Sequence, residues 1–381
     1  MSTILTIDLD ALASNYRYCC EQVSPGTCAA VVKANGYGLG ICRVARALHH
    51  AGCRKFFTAT HREGITLRSL LSDVDIFVLE GVTPFNIEAF PENRLVPVLI
   101  NLQQARDWAG LAAACGRPLP AIVNIDTGMT RLGFSESELG ELAASPSLTG
   151  RIDLRYVMTH FACAEDTSSA MPARQLERFD RLRGMLPEAP NSIGNSAGSL
   201  RGPDRAGDLA RVGIALFGGN PFGANGIPLR PVLRVQSRIL QLREITQETT
   251  VGYGATFRAR PGMKIATVGI GYADGYPWSL GNRGIASIEG RRVPVVGRVS
   301  MDLITLDVSA LPDELVQPGR LVDLIGPDIS LEEVAALAGT ISWEILTGLG
   351  QRANRTFLGL SLIHISEPTR LVHSSRMPSS A

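Results

Sequence analysis

Lysine is the scarce basic residue of this 381-residue chain, and one lysine stands where it could do chemistry. Only three of the 37 basic residues are lysines, Lys33, Lys55 and Lys264, and the others are arginines. Arginine keeps its proton in proteins, whereas lysine can become a neutral amine that attacks a carbonyl carbon. Any amine chemistry therefore depends on one of three side chains. Lys33 ends the apolar run CAAVVK (28–33), directly before the glycine-rich segment ANGYGLG.

Arg131, His160 and Ser196 follow later apolar runs in the same way, and Arg211, Gly213 and Ile214 occupy the end of the last run. In a parallel β/α barrel, such positions meet at the carboxyl face of the strands. A hydroxyl and main-chain N–H groups after the last two strands suit a phosphate, although serine and glycine also form ordinary turns there. An interior lysine likewise has two interpretations, a reactive amine or one half of an ion pair.

Eight apolar runs predict the elements that bring these residues together. They are residues 28–33, 55–59, 75–80, 95–99, 120–125, 152–158, 191–195 and 208–214. Between them, segments such as 41–53 and 101–116 carry apolar residues at spacings of three and four, as amphipathic helices require. Eight β/α units in about 220 residues predict an α/β fold with an N-terminal TIM (β/α)8 barrel over residues 1–230.

The pattern changes after the Gly/Pro/Asn-rich stretch 217–231. Alternating strand-like runs predict a C-terminal, mostly-β domain over residues 231–358, with one short helix at Leu331–Leu337. The last stretch, 359–381, is rich in Ser, Pro and Arg and resembles translated cloning or sequencing read-through. We therefore predict a disordered or non-native tail there.

Composition argues against several classes of function. A net charge of +1 without runs of like charge disfavours nucleic-acid binding. No apolar stretch approaches about 18 residues, and no basic region followed by an apolar one opens the chain, so we predict neither a membrane span nor a signal peptide. Seven cysteines without a C-x-x-C pair indicate a reduced, cytoplasmic protein. The six histidines and the cysteines show no metal-ligand spacing, so no metal site is predicted.

Eight segments, in order and spacing, resemble those of the alanine racemase family of fold-type III pyridoxal-phosphate enzymes. They are VVKANGYGLG, DTGMTRLGF, THFA, NSAGS, RVGIALFG, VGYGATF, GYADGYP and GRVSMD, and the resemblance reaches to about residue 358. It implies pyridoxal 5'-phosphate, a Schiff base at Lys33, and a homodimer with shared active sites. It also implies two acid/base groups: Lys33 on the D face of the substrate, and Tyr253 of the partner subunit on the L face. Racemisation requires one such group on each face.

The resemblance also implies roles for the other cofactor residues. Tyr37, Ser196, Gly213 and Ile214 match positions that hold the phosphate. Arg211 matches the residue that meets the pyridine nitrogen, where a permanently charged guanidinium donates a hydrogen bond without protonating the ring.

Four residues are implied near the substrate. His160 would lie near Arg211 and Tyr253 and tune the basicity of the tyrosine, and Tyr272 would lie at the entrance. Arg131, through its side chain, and Met301, through its main-chain N–H, would bind the carboxylate. Taken singly, the two tyrosines and His160 also fit plain packing roles, and Arg131 fits a surface salt bridge.

The chain departs from the family at Asn124, where many relatives carry a carbamylated lysine. Either a bound anion such as chloride or a neutral hydrogen-bond network would then position Arg131. Gln351 stands about where some relatives have a tyrosine near the phosphate.

We predict an enzyme, an alanine racemase that interconverts L- and D-alanine for peptidoglycan. The alternatives are a broad-specificity or serine-preferring amino acid racemase, a decarboxylase of the same plan, and a non-catalytic pyridoxal-phosphate carrier. An alanine-sized and a serine-sized pocket differ too little to be told apart from the sequence.

Overall fold

The computed structural model describes residues 3–223 and 227–359. The chain starts with strand β1 (Ile4–Asp8) and helix α1 (Leu9–Val23). The helix begins where the Asp8 carboxylate accepts a hydrogen bond from the N–H of Ala11 at 2.7 Å. Such a cap satisfies a main-chain donor that a helix start otherwise leaves free.

A parallel sheet of eight strands curves into a nearly closed barrel. Its strands are β2 (Thr27–Val31), β3 (Lys55–Thr58), β4 (Asp75–Val78), β5 (Leu95–Leu99), β6 (Leu119–Asn124), β7 (Ile152–Met158), β8 (Asn191–Ser192) and β9 (Leu209–Val212). They pair in the order β8-β7-β6-β5-β4-β3-β2-β9. The two ends meet where the N–H of Arg211 donates to the carbonyl of Gly194 at 2.8 Å. Each of the eight predicted runs overlaps one of these strands, and the predicted TIM barrel is confirmed.

Helices connect the barrel strands. They are α2 (Lys33–Tyr37), α3 (Ile41–His50), α4 (His61–Leu70), α5 (Ala89–Glu92), α6 (Leu102–Ala114), α7 (Glu136–Ala143), α8 (Pro146–Thr149), α9 (Met171–Arg183) and α10 (Ser196–Ser199). The predicted helical segments 41–53 and 101–116 contain α3 and α6. One placement needs correction: Lys33 does not end a strand but begins α2, two residues after β2.

A second, mostly antiparallel sheet follows the barrel. Its strands are β10 (Leu233–Glu244), β13 (Lys264–Val268), β14 (Ile285–Ile288), β15 (Arg291–Pro294), β16 (Ile304–Asp307), β17 (Leu321–Ile325) and β18 (Asn354–Leu358), with β11 (Thr249–Val251) and β12 (Phe257–Ala259) as a separate ribbon. Two helices, α11 (Leu331–Ala338) and α12 (Ser342–Gly348), pack beside it. The short helix expected at Leu331–Leu337 is α11.

Strand β1 lies in the second sheet, although it precedes the barrel in the sequence. It pairs antiparallel with β10, where Ile4 faces Gln236, and parallel with β18, where Ile4 faces Asn354. The sequence analysis placed these residues in the barrel. The division at residue 230 stays a prediction, and the predicted tail from 359 lies outside the described residues except for Gly359.

The barrel is filled with apolar side chains, so its polar groups collect at the mouth. Phe56 and Phe57 on β3 and Phe77 on the neighbouring β4 are completely or almost completely buried. Within residues 3–223 and 227–359, no helix has the length and apolar character needed to cross a membrane. The same residues contain no cluster of three or more His, Cys, Asp or Glu side chains suited to a metal ion.

Candidate active site

A cavity of about 500 Å³ lies at the carboxyl end of the barrel strands. Most of the predicted site residues line it, namely Lys33, Tyr37, Arg131, His160, Ser196, Arg211, Gly213 and Ile214. They come from different strands and loops, so the barrel alone accounts for their convergence. A reactive site at this face agrees with the general behaviour of β/α barrels.

Lys33 meets the conditions for a reactive amine. Burial lowers the pKa of its ammonium group, and the positive charge of Arg131 lowers it further, whereas the Glu63 carboxylate acts in the opposite direction. Among the described residues, no carboxylate forms a salt bridge with Lys33 within 4.0 Å, so the ion-pair interpretation fails. A larger fraction of the amine is therefore neutral than in an exposed lysine.

Although α2 is numbered with the helices, its residues after Lys33 form a left-handed turn. Ala34, Asn35, Gly36 and Tyr37 all have positive φ, at 53°, 55°, 64° and 53°. Only glycine adopts this conformation without a steric penalty. The turn brings the Tyr37 ring back to the cavity, where it stacks on Phe217 with ring centroids 4.5 Å apart.

Arg211 is almost completely buried without a carboxylate partner. Its Nη1 donates to Ser192 Oγ at 2.7 Å, and its Nη2 donates to the carbonyls of Thr159 and Ile193 at 2.6 and 3.1 Å. Burial lowers the pKa of Arg211 to about 9, which still leaves the group charged near neutral pH. Because a buried charge is expensive unless it is paired, this guanidinium favours an acceptor that enters the cavity.

His160 is a neutral imidazole of known tautomer. Burial, together with the charges of Arg211, Arg131 and Lys33, lowers its pKa to about 3. Its Nδ1 lies 3.0 Å from Nη2 of Arg211. Because a guanidinium can only donate, Nδ1 is the acceptor and the ring proton sits on Nε2.

Hydroxyl and main-chain groups form a cradle beside the lysine. The N–H of Gly213 donates to Ser196 Oγ at 2.9 Å. A Cβ at position 213 would overlap the Tyr37 hydroxyl, so glycine is required for this close approach. Burial raises the pKa of Tyr37, which therefore stays a neutral hydroxyl donor. Hydroxyl groups and N–H groups at short helix starts are the donors that bind phosphate in barrels.

Three predicted site residues do not reach this cavity. Tyr253 lies between β11 and β12 of the separate ribbon, whereas Tyr272 and Met301 lie on loops of the second sheet. The three residues are 73%, 46% and 53% exposed. Main-chain hydrogen bonds join the loops of Tyr272 and Met301. The N–H of Tyr272 donates to the carbonyl of Ser300, and the N–H of Ala273 donates to the carbonyl of Met301. Of the two acid/base groups implied by the resemblance, this cavity contains Lys33 and does not include Tyr253.

Models of two protein domains match the chain. The alanine racemase N-terminal domain matches residues 7–221, and the alanine racemase C-terminal domain matches residues 232–357. The chain belongs to the alanine racemase family. Alanine racemase of Rhodospirillum rubrum is 45% identical over 94% of this chain and 96% of its own length. The catabolic alanine racemase of Agrobacterium fabrum is 43% identical over 97% and 95%.

A solved member of the family has the same fold. Alanine racemase of Bartonella henselae, with covalently bound pyridoxal phosphate, superposes with a TM-score of 0.91 and 39% identity over 94% of this chain and all of its own. Alanine racemases depend on this cofactor, and the cavity of this family member fits it. The hydroxyl and main-chain groups around Gly213 suit the phosphate. The buried guanidinium of Arg211, which has no salt bridge within the described residues, suits an acceptor on the ring, and the amine of Lys33 suits the carbonyl carbon of the cofactor.

One aromatic residue that lines the cavity was not predicted from the sequence. Trp343, on α12, lines the cavity beside Lys33 and Tyr37. Gln351, considered for a similar place, is exposed and does not line it. The regular spacing of the barrel strands does not predict this position, because Trp343 lies on α12, beyond the barrel in the sequence.

Asn124 makes a neutral contact at the cavity wall. Its Nδ2 donates to the carbonyl of Leu132 at 3.0 Å, while its buried Oδ1 has no partner among the described residues. Arg131 is exposed, and no salt bridge to it within 4.0 Å occurs in the described part of the chain. The surface-salt-bridge interpretation of Arg131 therefore fails, and its guanidinium is available to a ligand.

Proposed function

We propose that this protein catalyses the interconversion of L- and D-alanine with pyridoxal 5'-phosphate and so supplies D-alanine for peptidoglycan. One observation carries the proposal: an amine without an ion pair, Lys33, shares its cavity with a buried, carboxylate-free Arg211 and a glycine cradle. When bound, pyridoxal phosphate withdraws electrons from an amino acid and makes its α-proton acidic. The protein must then place a group on each face of the substrate that removes or returns that proton.

Lys33 Nζ and Tyr253 Oη are proposed as the two acid/base groups. The amine of Lys33 would hold the cofactor and move the α-proton on the D face of alanine. The phenol of Tyr253 of the partner subunit would do so on the L face. Gly252 and Gly254, with φ of 73° and 72°, present this exposed ring from a tight turn. One group on each side allows a proton removed from one face to be replaced from the other.

Arg211 and His160 are proposed to tune this exchange. Arg211 would donate a hydrogen bond to the ring nitrogen of the cofactor from a donor that its contacts with Ser192 and two carbonyls leave free. A guanidinium keeps its own proton, which limits the charge that the ring can accept. His160 Nε2–H is a donor suited to the phenol oxygen of Tyr253 of the partner subunit.

Substrate binding is proposed to involve both subunits. The exposed guanidinium of Arg131 would bind the carboxylate of alanine, together with the main-chain N–H of Met301 from the partner subunit. Tyr272 would lie at the entrance. A homodimer accounts for the exposure of Tyr253, Tyr272 and Met301 in a single chain.

Serine is the second candidate substrate. The buried Oδ1 of Asn124 is an acceptor in the cavity wall that lacks a donor within the described residues. This oxygen is fully buried, so it does not contact a hydroxymethyl group in the cavity, and serine is a candidate because it differs from alanine by one hydroxyl group. We place the enzyme in the cytoplasm because its seven cysteines are all free thiols.

Solvent-deuterium incorporation into both alanine enantiomers tests the reaction. We expect exchange from L- and from D-alanine, with loss of cofactor absorbance in Lys33→Ala. Absence of exchange from both enantiomers would reject the racemase. If Tyr253→Phe leaves exchange from L-alanine unchanged, the assignment of two bases is wrong. Parallel assays with serine and lysine define the range of substrates.

A further inference from the structure

The left-handed turn after Lys33 needs an external support. Three of its four members, Ala34, Asn35 and Tyr37, carry a Cβ in a conformation that costs about 1 kcal/mol or more per residue. Ala34 and Asn35 are exposed, so packing does not hold the start of the turn. Within the turn, the N–H groups of Gly38 and Gly40 donate to the carbonyls of Ala34 and Asn35, whereas the N–H of Ala34 is bonded to another segment.

Glu63 provides that contact with both carboxylate oxygens. Oε1 accepts from the N–H of Ala34 at 2.7 Å, and Oε2 accepts from the N–H of Ala59 at 2.8 Å and of Thr60 at 3.3 Å. Glu63 thereby ties the first residue of the turn to the end of β3 and the start of α4. Hydrogen bonds to a carboxylate are stronger than those between neutral groups.

We propose that Glu63 is a positioning residue for Lys33, because its carboxylate holds the left-handed turn closed and so keeps the amine in the cavity. The proposal rests on the proposed function, in which Lys33 holds pyridoxal phosphate. Glu63 touches neither the cofactor nor the substrate in this role. Its negative charge also opposes the effect of Arg131 on the pKa of Lys33.

The effect on the cofactor follows from the population of the closed turn. The cofactor is released while the turn is open, so its release rate rises in proportion to the small population of the open turn. Loss of one hydrogen bond to a charged group shifts such an equilibrium about tenfold. A weakened turn therefore releases pyridoxal phosphate about ten times more readily.

Glu63→Gln is the informative variant, and Glu138→Gln is its matched control. Both glutamates close a capping box, and both accept main-chain N–H groups from two segments: Glu138 accepts from Ser135 at 3.0 Å and from Leu102 at 3.3 Å. A glutamine can accept through only one of its two terminal atoms. The two variants thus lose the same kind of contact, and only Glu63 is bonded to the turn after Lys33.

The measurement is retention of pyridoxal phosphate by the holoenzyme, followed by absorbance after dilution, together with the melting temperature. We expect Glu63→Gln to release the cofactor about tenfold faster than the wild type, and Glu138→Gln to release it at the wild-type rate despite a similar loss of melting temperature. Equal release by both variants would overturn the proposal, because Glu63 would then be only a helix cap.

Hydrogen exchange of the Ala34 amide tests the contact in the unmodified protein. We expect this exposed amide to be protected, because Glu63 accepts its hydrogen bond. Exchange at the rate of a free amide would overturn the proposal even if Glu63→Gln does not fold. If the wild-type protein binds no pyridoxal phosphate, the proposed function is rejected. Exchange of the Ala34 amide then still tests whether Glu63 holds the turn.

Discussion

Three cationic side chains line the cavity, and none of them forms a salt bridge within the described residues. Lys33, Arg131 and Arg211 therefore offer charged donors to anionic ligands, within a lining that also contains Glu80, Asp126 and Glu165. The phosphate of the cofactor and the carboxylate of an amino acid are such groups. The same charges keep the amine of Lys33 and the ring of His160 more neutral than in water.

The neutral state of His160 predicts a pH-dependent loss of stability. Its pKa is about 3 in the folded protein and about 6.5 in the unfolded chain. Below about pH 6.5, His160 takes up a proton in the unfolded chain but stays neutral in the folded protein. The free energy of unfolding therefore falls as the pH drops from about 6.5 towards 3. Between pH 7 and 5, the wild type should lose about 2 kcal/mol more than His160→Gln.

Denaturant unfolding at several pH values checks this expectation. His50→Gln is the control, because His50 is exposed on α3. Its stability should follow the wild-type pH dependence. Parallel curves for His160→Gln and the wild type would show that His160 does not resist protonation in the folded protein.

At the scale of elements, α12 packs directly on the turn that carries Lys33. Gly38 ends this turn with φ of 81°, and a Cβ there would overlap the carbonyl oxygen of Leu346 on α12. Gly52 has φ of 102° with open space around it. Gly52→Ala should therefore cost about 1 kcal/mol from backbone strain alone, and Gly38→Ala about 3 kcal/mol because the main chain of α12 cannot yield.

Equilibrium unfolding of both glycine variants measures the difference. We also expect Gly38→Ala to weaken cofactor binding, since the displaced turn carries Lys33 and Tyr37. Equal stability of the two variants would mean that α12 does not press on the turn.

Arg352 joins the two loops that carry Tyr272 and Met301. Its Nε donates to Asp274 at 2.7 Å, and its Nη2 donates to Asp302 at 2.6 Å. A lysine cannot make this forked contact. We therefore expect Arg352→Lys to raise the KM for alanine about tenfold, the effect of one lost charged contact.

Steady-state kinetics with a cofactor spectrum tests the role of Arg352. The spectrum should stay unchanged, because the Lys33 cavity does not include this arginine. Arg320→Lys, whose partner is Glu289 on the surface at 3.3 Å, is the control and should retain the wild-type KM. A changed spectrum in Arg352→Lys would point to general unfolding rather than loop position.

The barrel was predictable because its parallel strands are buried on both faces and read as apolar runs. Strand β1 was not, since its partners β10 and β18 lie far along the chain. The glycines of KANGYG suggest a turn, but nothing in the sequence shows that Ala34 and Tyr37 share the positive φ of Gly36. Trp343 was missed for the same reason as β1: tertiary packing, rather than local pattern, brings it to the cavity.

At the scale of the whole molecule, one chain contains two half-sites that do not meet. The barrel carries Lys33 in its cavity, whereas Tyr253 is 73% exposed on the ribbon side of the second sheet. In the proposed homodimer, another subunit would cover this large exposed aromatic ring. Two copies related by a twofold axis would complete two sites at once.

Hybrid dimers test this arrangement. Lys33→Ala and Tyr253→Phe homodimers should each lack racemase activity, because every site is missing one base. After equal mixing of the two variants, half of the dimers are hybrids, and each hybrid has one site with both bases intact. Racemase activity should then recover to about a quarter of the wild-type value, as expected for random twofold pairing. If Tyr253 instead served the lysine of its own chain, every hybrid site would still lack one base, and mixing would recover no activity.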